Sequence, residues 1–244
     1  MSEEILDQQE EQKTNSQFNI EDNSGRAKTT AIFIIILTIT NLPLLWAEIS
    51  YVQAMQDGGQ ISIEENEFII GIIGVVQIIL NICCIIFCIR WFKRAYTNLS
   101  ARVPTESTPG WTIGSWFIPI VSLFKPYQIM KEMWIETLTI LRNTHSQKYK
   151  NPNIFLGSWW LLWIIVSIGA NITMQITNRS TDIANHIVAG KIDIVLTILS
   201  FPLGILAYLV ITKYNKLEDQ LNEAELSKMI HSDGKIEVIE ESFL

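Results

Sequence analysis

Few side chains in this sequence are suited to chemistry, and their spacing limits what that chemistry can be. Three histidines, His145, His186 and His231, are scattered along the chain. Three cysteines, Cys83, Cys84 and Cys88, share one apolar run. Cys84 and Cys88 are one helical turn apart and so share a face. No second Cys or His pair completes a zinc set, so the cysteines read as small apolar side chains. No metal and no cofactor is expected. Neither HExxH, a P-loop, GxSxG nor CxxC is present. Ser115 and Ser122 have no evident base partner, so no catalytic residue is nominated and an enzyme is not expected. What remains are amides embedded in apolar sequence: Asn41, Gln77, Asn81 and Asn171. Buried amides bridge helices; the alternative is a polar path for a small solute or ion. The nearest acids, Glu48, Glu67 and Asp193, fall toward the ends of those runs. No charge lies centrally in any run, which argues against a proton-coupled pump.

The runs that must position these amides number four. The chain has 244 residues, of which 48% are apolar and 18% charged. A bilayer core of about 30 Å requires about 20 apolar residues in a helix. Thr29–Ser50, Phe68–Ile89, Ile154–Met174 and Ile192–Ile211 meet that length. Their richness in isoleucine would suggest strands in water, but in lipid a helix satisfies its own backbone. The expected fold is all-α: an integral membrane four-helix bundle with an amphipathic or re-entrant segment between spans two and three. The expected division is an acidic, disordered tail over 1–28, a four-span domain over 29–212, and an acidic tail with a short helix over 213–244.

Basic residues orient the spans. The first connection, Tyr51–Glu67, has no Lys or Arg, whereas the second, Arg90–Asn153, has nine. The expectation is a multi-pass protein of the cytoplasmic membrane, with both termini and the middle connection on the cytoplasmic side. The acidic N-terminal stretch has no apolar core and is not a signal peptide. Ser2 stands where myristoylation needs glycine, so only the spans are expected to anchor the chain. Net charge is −7, which argues against nucleic acid as a partner.

The middle connection carries the most distinctive pattern. Pro104–Gly110 reads as a turn from its Pro, Ser, Thr and Gly content. Trp111–Phe124 is apolar but too short to cross, so it is expected to be re-entrant or interfacial. After Pro126, the residues Met130, Met133, Trp134, Leu138 and Leu141 recur at helical spacing. That pattern is expected to form an amphipathic helix in the membrane plane, or a helix packed on the connection itself. Trp46, Trp91, Trp134, Trp159 and Trp160 lie near span ends, where interfacial anchoring accounts for most tryptophans. Leu217, Leu221 and Ala224 mark a helix beyond span four, read either as solvated or as a docking element for a partner.

The string Trp91, Arg94, Asn98, followed by Gly110, Trp111, Trp116, Phe117, Pro119, Pro126 and Trp134, resembles a bacterial multi-span membrane family. That family is catalogued as a domain of unknown function, serial number four-three-two-eight. The pair Trp159–Trp160 is similar to it as well, and the resemblance covers roughly 68–212. It implies a compact multi-span membrane domain of bacterial origin and brings no activity, substrate or cofactor. From the sequence, the leading function is a non-enzymatic scaffold or interaction module, with the lipid bilayer, a second copy or a cytoplasmic protein as partners. The rivals are a small-solute transporter or channel component, and a lipid-interface enzyme using Arg90, Lys93 and Arg94.

Overall fold

The computed structural model describes residues 20–145, 153–180 and 182–241, side chains at 60, 144, 145 and 228–241 excepted. The acidic stretch before residue 20 and the side chains of His145 and His231 lie outside the described residues. Among the described residues the regular structure is entirely helical. In chain order the elements are α1 (Ser24–Asp57), α2 (Gln60–Ser100), α3 (Trp111–Gly114), a 3-10 turn (Val121–Leu123), α4 (Lys125–His145), α5 (Asn153–Arg179) and α6 (Ile183–Glu241). Four of these, α1, α2, α5 and α6, are long and apolar enough to cross a membrane.

Each of the four is longer than its apolar run, and the first and third connections shrink accordingly. Tyr51–Glu67, expected as a loop, is mostly helix. Only Gly58 and Gly59 separate α1 from α2. Gly58 has φ +69°, a left-handed conformation that glycine adopts without steric cost. The Gly59 N–H donates to the Ala54 carbonyl at 3.2 Å, closing the end of α1 as a Schellman-type cap. Between α5 and α6, the Asp182 carboxylate accepts from the Ala184 N–H at 3.1 Å and caps the first turn of α6. Pro126 sits in the first turn of α4, where its missing N–H costs nothing. Pro43 and Pro202 lie within continuous helices.

The chain divides into two compact units. One holds residues 1–25, 91–153 and 212–244; the other holds 26–90 and 154–211. The second contains the apolar stretches of all four long helices. Its α2 stretch leaves Ile72, Val75, Ile78, Ile79, Ile82 and Ile86 exposed. Water would not tolerate a helix this apolar outside, whereas a bilayer supplies the missing cover. Within this unit, α1 and α6 approach closely at Gly204, where an added Cβ would strike the Thr38 side chain. Gly169 of α5 likewise faces Leu196 of α6. Gly71 and Gly74, which look like packing residues in the sequence, face open space instead.

The first unit has a conventional buried core. Trp91, Tyr96, Ile129, Met133, Leu141, Tyr214 and Leu221 are almost wholly inaccessible. Two sequence expectations change here. Met130, Met133, Trp134, Leu138 and Leu141 are all buried in protein, so α4 has no apolar stripe left for an in-plane position in lipid. Trp91 and Trp134 are core side chains rather than interfacial anchors. The reason is the stretch after span four: Tyr214, Glu218, Leu221 and Ala224 are buried and supply the cover that a solvated helix could not.

Candidate functional site

Two groups of polar residues stand out, one in each unit. In the first unit the group is built on Asn98 of α2. The Asn98 side chain donates to the Glu218 Oε1 at 2.6 Å and to the Glu21 carbonyl at 2.9 Å. Its Oδ1 accepts from the Glu21 N–H at 3.2 Å. Asn23 donates to the Trp91 carbonyl at 3.2 Å and to the Glu218 Oε2 at 3.4 Å. Arg94 pairs with Glu21. Arg102 grips Glu225 with Nε at 2.9 Å and Nη2 at 3.0 Å, the two-pronged geometry that a guanidinium favours. Glu218 is 3% exposed, and burial pushes its carboxyl above the usual range, opposed by Asn98, Asn23 and Arg102.

Next to this network Tyr214 acts as an aromatic hub. Trp91 meets it edge-on at 6.0 Å, and Trp134 lies 6.1 Å away. Its hydroxyl is 3.2 Å from Thr137 Oγ1. Farther along, Glu132 of α4 holds the turn at Pro104–Gly110. It accepts from the Tyr96 hydroxyl at 2.8 Å and from the Glu106 N–H at 2.6 Å. Trp91, Asn98, Pro126 and Trp134 are buried. Trp116 is half-buried, while Trp111 and Pro119 are exposed.

The second unit contains a cavity of about 520 Å³ lined by residues from all four long helices. Asn41 and Glu48 of α1, Gln77 and Asn81 of α2, Trp163 of α5, and Asp193, Thr197 and Ser200 of α6 share its wall. Asn41 donates to Ser200 Oγ at 2.7 Å, and Gln77 donates to the Asn41 Oδ1 at 3.0 Å. These amides do bridge helices. Asn81 and Asn171 do not: each donates to the carbonyl one turn back on its own helix, Gln77 and Ser167 respectively. Asn171 is exposed and is not among the lining residues.

Glu48 accepts from the Thr197 hydroxyl at 3.1 Å through Oε1. Its Oε2 is inaccessible and has no hydrogen-bond partner among the described residues. Trp163 stacks on Trp160 with centroids 4.6 Å apart, and Trp159 lies 5.4 Å from Trp160. Trp160 is thus a buried brace behind a lining tryptophan. A carboxylate with an unsatisfied oxygen, a second carboxylate, three amides and an aromatic face suit a cation or a small polar donor-rich solute. Among the described residues no group of three His, Cys, Asp or Glu is placed to hold a metal ion.

Sequence reasoning treated Glu48 and Asp193 as residues at the span ends and left Trp163, Thr197 and Ser200 unremarked. The signal available was periodic: Asp193, Thr197 and Ser200 are spaced four and three apart on α6 and so share a face.

A family model described as "Domain of unknown function (DUF4328)" matches residues 60–216. No curated protein and no solved structure matches the chain.

Proposed function

Because the chain belongs to the family described as Domain of unknown function (DUF4328), we propose a function from the geometry of its own residues: an integral membrane protein that takes a small cationic or donor-rich polar solute into the cavity of its four-helix unit. In this reading it is a transporter or channel component of a bacterial cytoplasmic membrane. The nine basic residues of Arg90–Asn153 support a cytoplasmic position for that stretch and for both termini. The observation that carries the proposal is the Glu48 carboxylate, one oxygen held by Thr197 and the other without a partner, in a cavity walled by all four helices. An isolated buried carboxylate oxygen is costly, and such groups within membrane spans mark ion and solute paths.

Two observations bear on the other readings, the scaffold or interaction module that leads from the sequence and the lipid-interface enzyme. The candidate docking helix after span four is occupied by its own chain through Tyr214, Glu218 and Leu221. In the Arg90, Lys93 and Arg94 cluster proposed for lipid chemistry, Arg94 is engaged by Glu21.

The test is flux in proteoliposomes loaded with sodium, potassium or methylammonium chloride, comparing the native chain with Glu48→Gln. The expected result is protein-dependent flux of at least one of these cations that Glu48→Gln reduces at least about tenfold, the loss of about 1.4 kcal/mol of binding or barrier stabilisation. Flux equal to that of protein-free vesicles for all three, or flux indifferent to Glu48→Gln, overturns the proposal.

A further inference from the structure

The stretch Trp111–Phe124 takes no part in the cavity or in the Asn98 network, yet it presents a concentrated apolar surface. Phe117 and Ile120 are each 74% exposed, and Trp111, Ile118 and Phe124 are exposed as well. No charged residue occurs between Trp111 and Phe124, and Lys125 follows immediately. Beneath the exposed side chains, Thr112 and Ser115 are fully buried, so the stretch is seated on its own unit while its apolar side chains point away.

Several main-chain groups of this surface are paired within the stretch itself. The Trp116 and Phe117 N–H groups donate to the Ile113 and Gly114 carbonyls, each at 3.2 Å. The Ser122 N–H reaches the Ile118 carbonyl at 2.8 Å, and the Leu123 N–H reaches the Ile120 carbonyl at 3.3 Å. The Ser122 hydroxyl takes the Pro119 carbonyl at 2.7 Å, and Pro119 has no N–H to satisfy. The carbonyls at 118, 119 and 120 therefore each have an internal donor at the most exposed point. A loop facing water needs no such closure, because water supplies the partners. A protein partner binding through main-chain bonds would find these carbonyls already occupied. Lipid is the environment in which pairing of these carbonyls counts most, and an interfacial position leaves the remaining N–H groups within reach of headgroups and water.

We propose that Trp111–Phe124 is a membrane-interface wedge, its Phe117, Ile118 and Ile120 side chains entering the boundary between headgroups and acyl chains of an anionic bilayer. Lys125 at its end supplies the cation that meets the headgroups, as on other interfacial elements. The stretch is too short to cross, so it enters and returns on one side. The proposal is independent of what the cavity of the other unit holds.

Site-directed spin labelling of the full chain in nanodiscs of phosphatidylcholine with phosphatidylglycerol, one chain per disc, tests it. Cys83, Cys84 and Cys88 are replaced by alanine, and single cysteines are introduced by Phe117→Cys, Ile120→Cys and Glu106→Cys. Glu106 is an exposed residue of the same unit and reports water. The expected result is severalfold preference for oxygen over a soluble nickel chelate as collision partner at 117 and 120, with the reverse at 106. Preference for the nickel chelate at 117 and 120 overturns the proposal. So does exclusion of both probes there, which would mean that protein covers the surface.

Discussion

Replacing Asn98 by alanine removes three hydrogen bonds at one stroke. Two of them, to the Glu21 backbone at 2.9 and 3.2 Å, lie beside an exposed residue, where water can take over part of their role. The third, to the Glu218 Oε1 at 2.6 Å, is charge-assisted and buried. Without it the carboxylate keeps only the longer contact to Asn23 at 3.4 Å. A hydrogen bond to a charged group contributes about 1.5–3 kcal/mol, and each partly exposed bond contributes about 0.5–1. The sum is about 3 kcal/mol against the docking of residues 212–227. At about 1.4 kcal/mol per decade this is roughly a 150-fold increase in the fraction of time the helix is open. Hydrogen exchange followed by mass spectrometry on the full chain in nanodiscs reads that ratio from the amides of 212–227. Asn81→Ala is the control: its side chain bonds only its own helix, and exchange in 212–227 is expected to be unchanged. A change of less than about threefold for Asn98→Ala, under 0.7 kcal/mol, would refute the idea that this buried polar network holds the helix.

Two more predictions use the same structure. Burial raises the Glu218 carboxyl above its ordinary range. Docking of 212–227 is therefore most stable below the ordinary glutamate range and weakens as pH rises through the elevated value, by at most about 1.4 kcal/mol per pH unit. Exchange corrected for its intrinsic pH dependence should show that slope in the native chain and lose it in Glu218→Gln; a slope of opposite sign would contradict the burial argument. In the four-helix unit, Gly204→Ala drives a Cβ into the Thr38 side chain, which is tethered by its hydroxyl to the Ile34 carbonyl at 2.7 Å. A loss of about 1–3 kcal/mol is expected, seen as a lower Tm in detergent. Thr38→Ala added to Gly204→Ala should restore most of it, and strict additivity of the two losses would show that these helices do not meet there.

Much of the architecture is legible in the sequence because lipid imposes a simple rule. A run of about 20 apolar residues must be helical and must span, and all four such runs do form long helices. Helix ends are less legible, because polar extensions such as Tyr51–Asp57 carry no hydropathy signal. Gly58 was the available cue, and its left-handed φ fits an ordinary helix stop. The pattern Met130, Met133, Trp134, Leu138 and Leu141 announces a helix with one apolar side. It cannot announce what covers that side, because the cover comes from Tyr214 and Leu221, some seventy to ninety positions away. The cavity was half legible. Asn41 and Gln77 stand out as amides in apolar runs, but their meeting with Glu48, Trp163 and Thr197 depends on which helix faces turn inward. The Ile-rich α1 and α2 have almost no polar face and give no periodic signal to settle that, and the Asp193, Thr197 and Ser200 stripe orients α6 alone. Asn171 shows the converse: an amide equally conspicuous in sequence that merely bonds its own helix.

The unit containing Asn98 draws on three separated stretches, the last of which begins at Thr212. A ribosome delivers that stretch only after all four apolar helices have been made. Until Tyr214 and Glu218 emerge, the indoles of Trp91 and Trp134 lack their shared aromatic neighbour, and Asn98 has only its bonds to the Glu21 backbone. Completion of this unit therefore waits for the final helix, and a chain cut short before Tyr214 lacks the residue that joins Trp91 to Trp134.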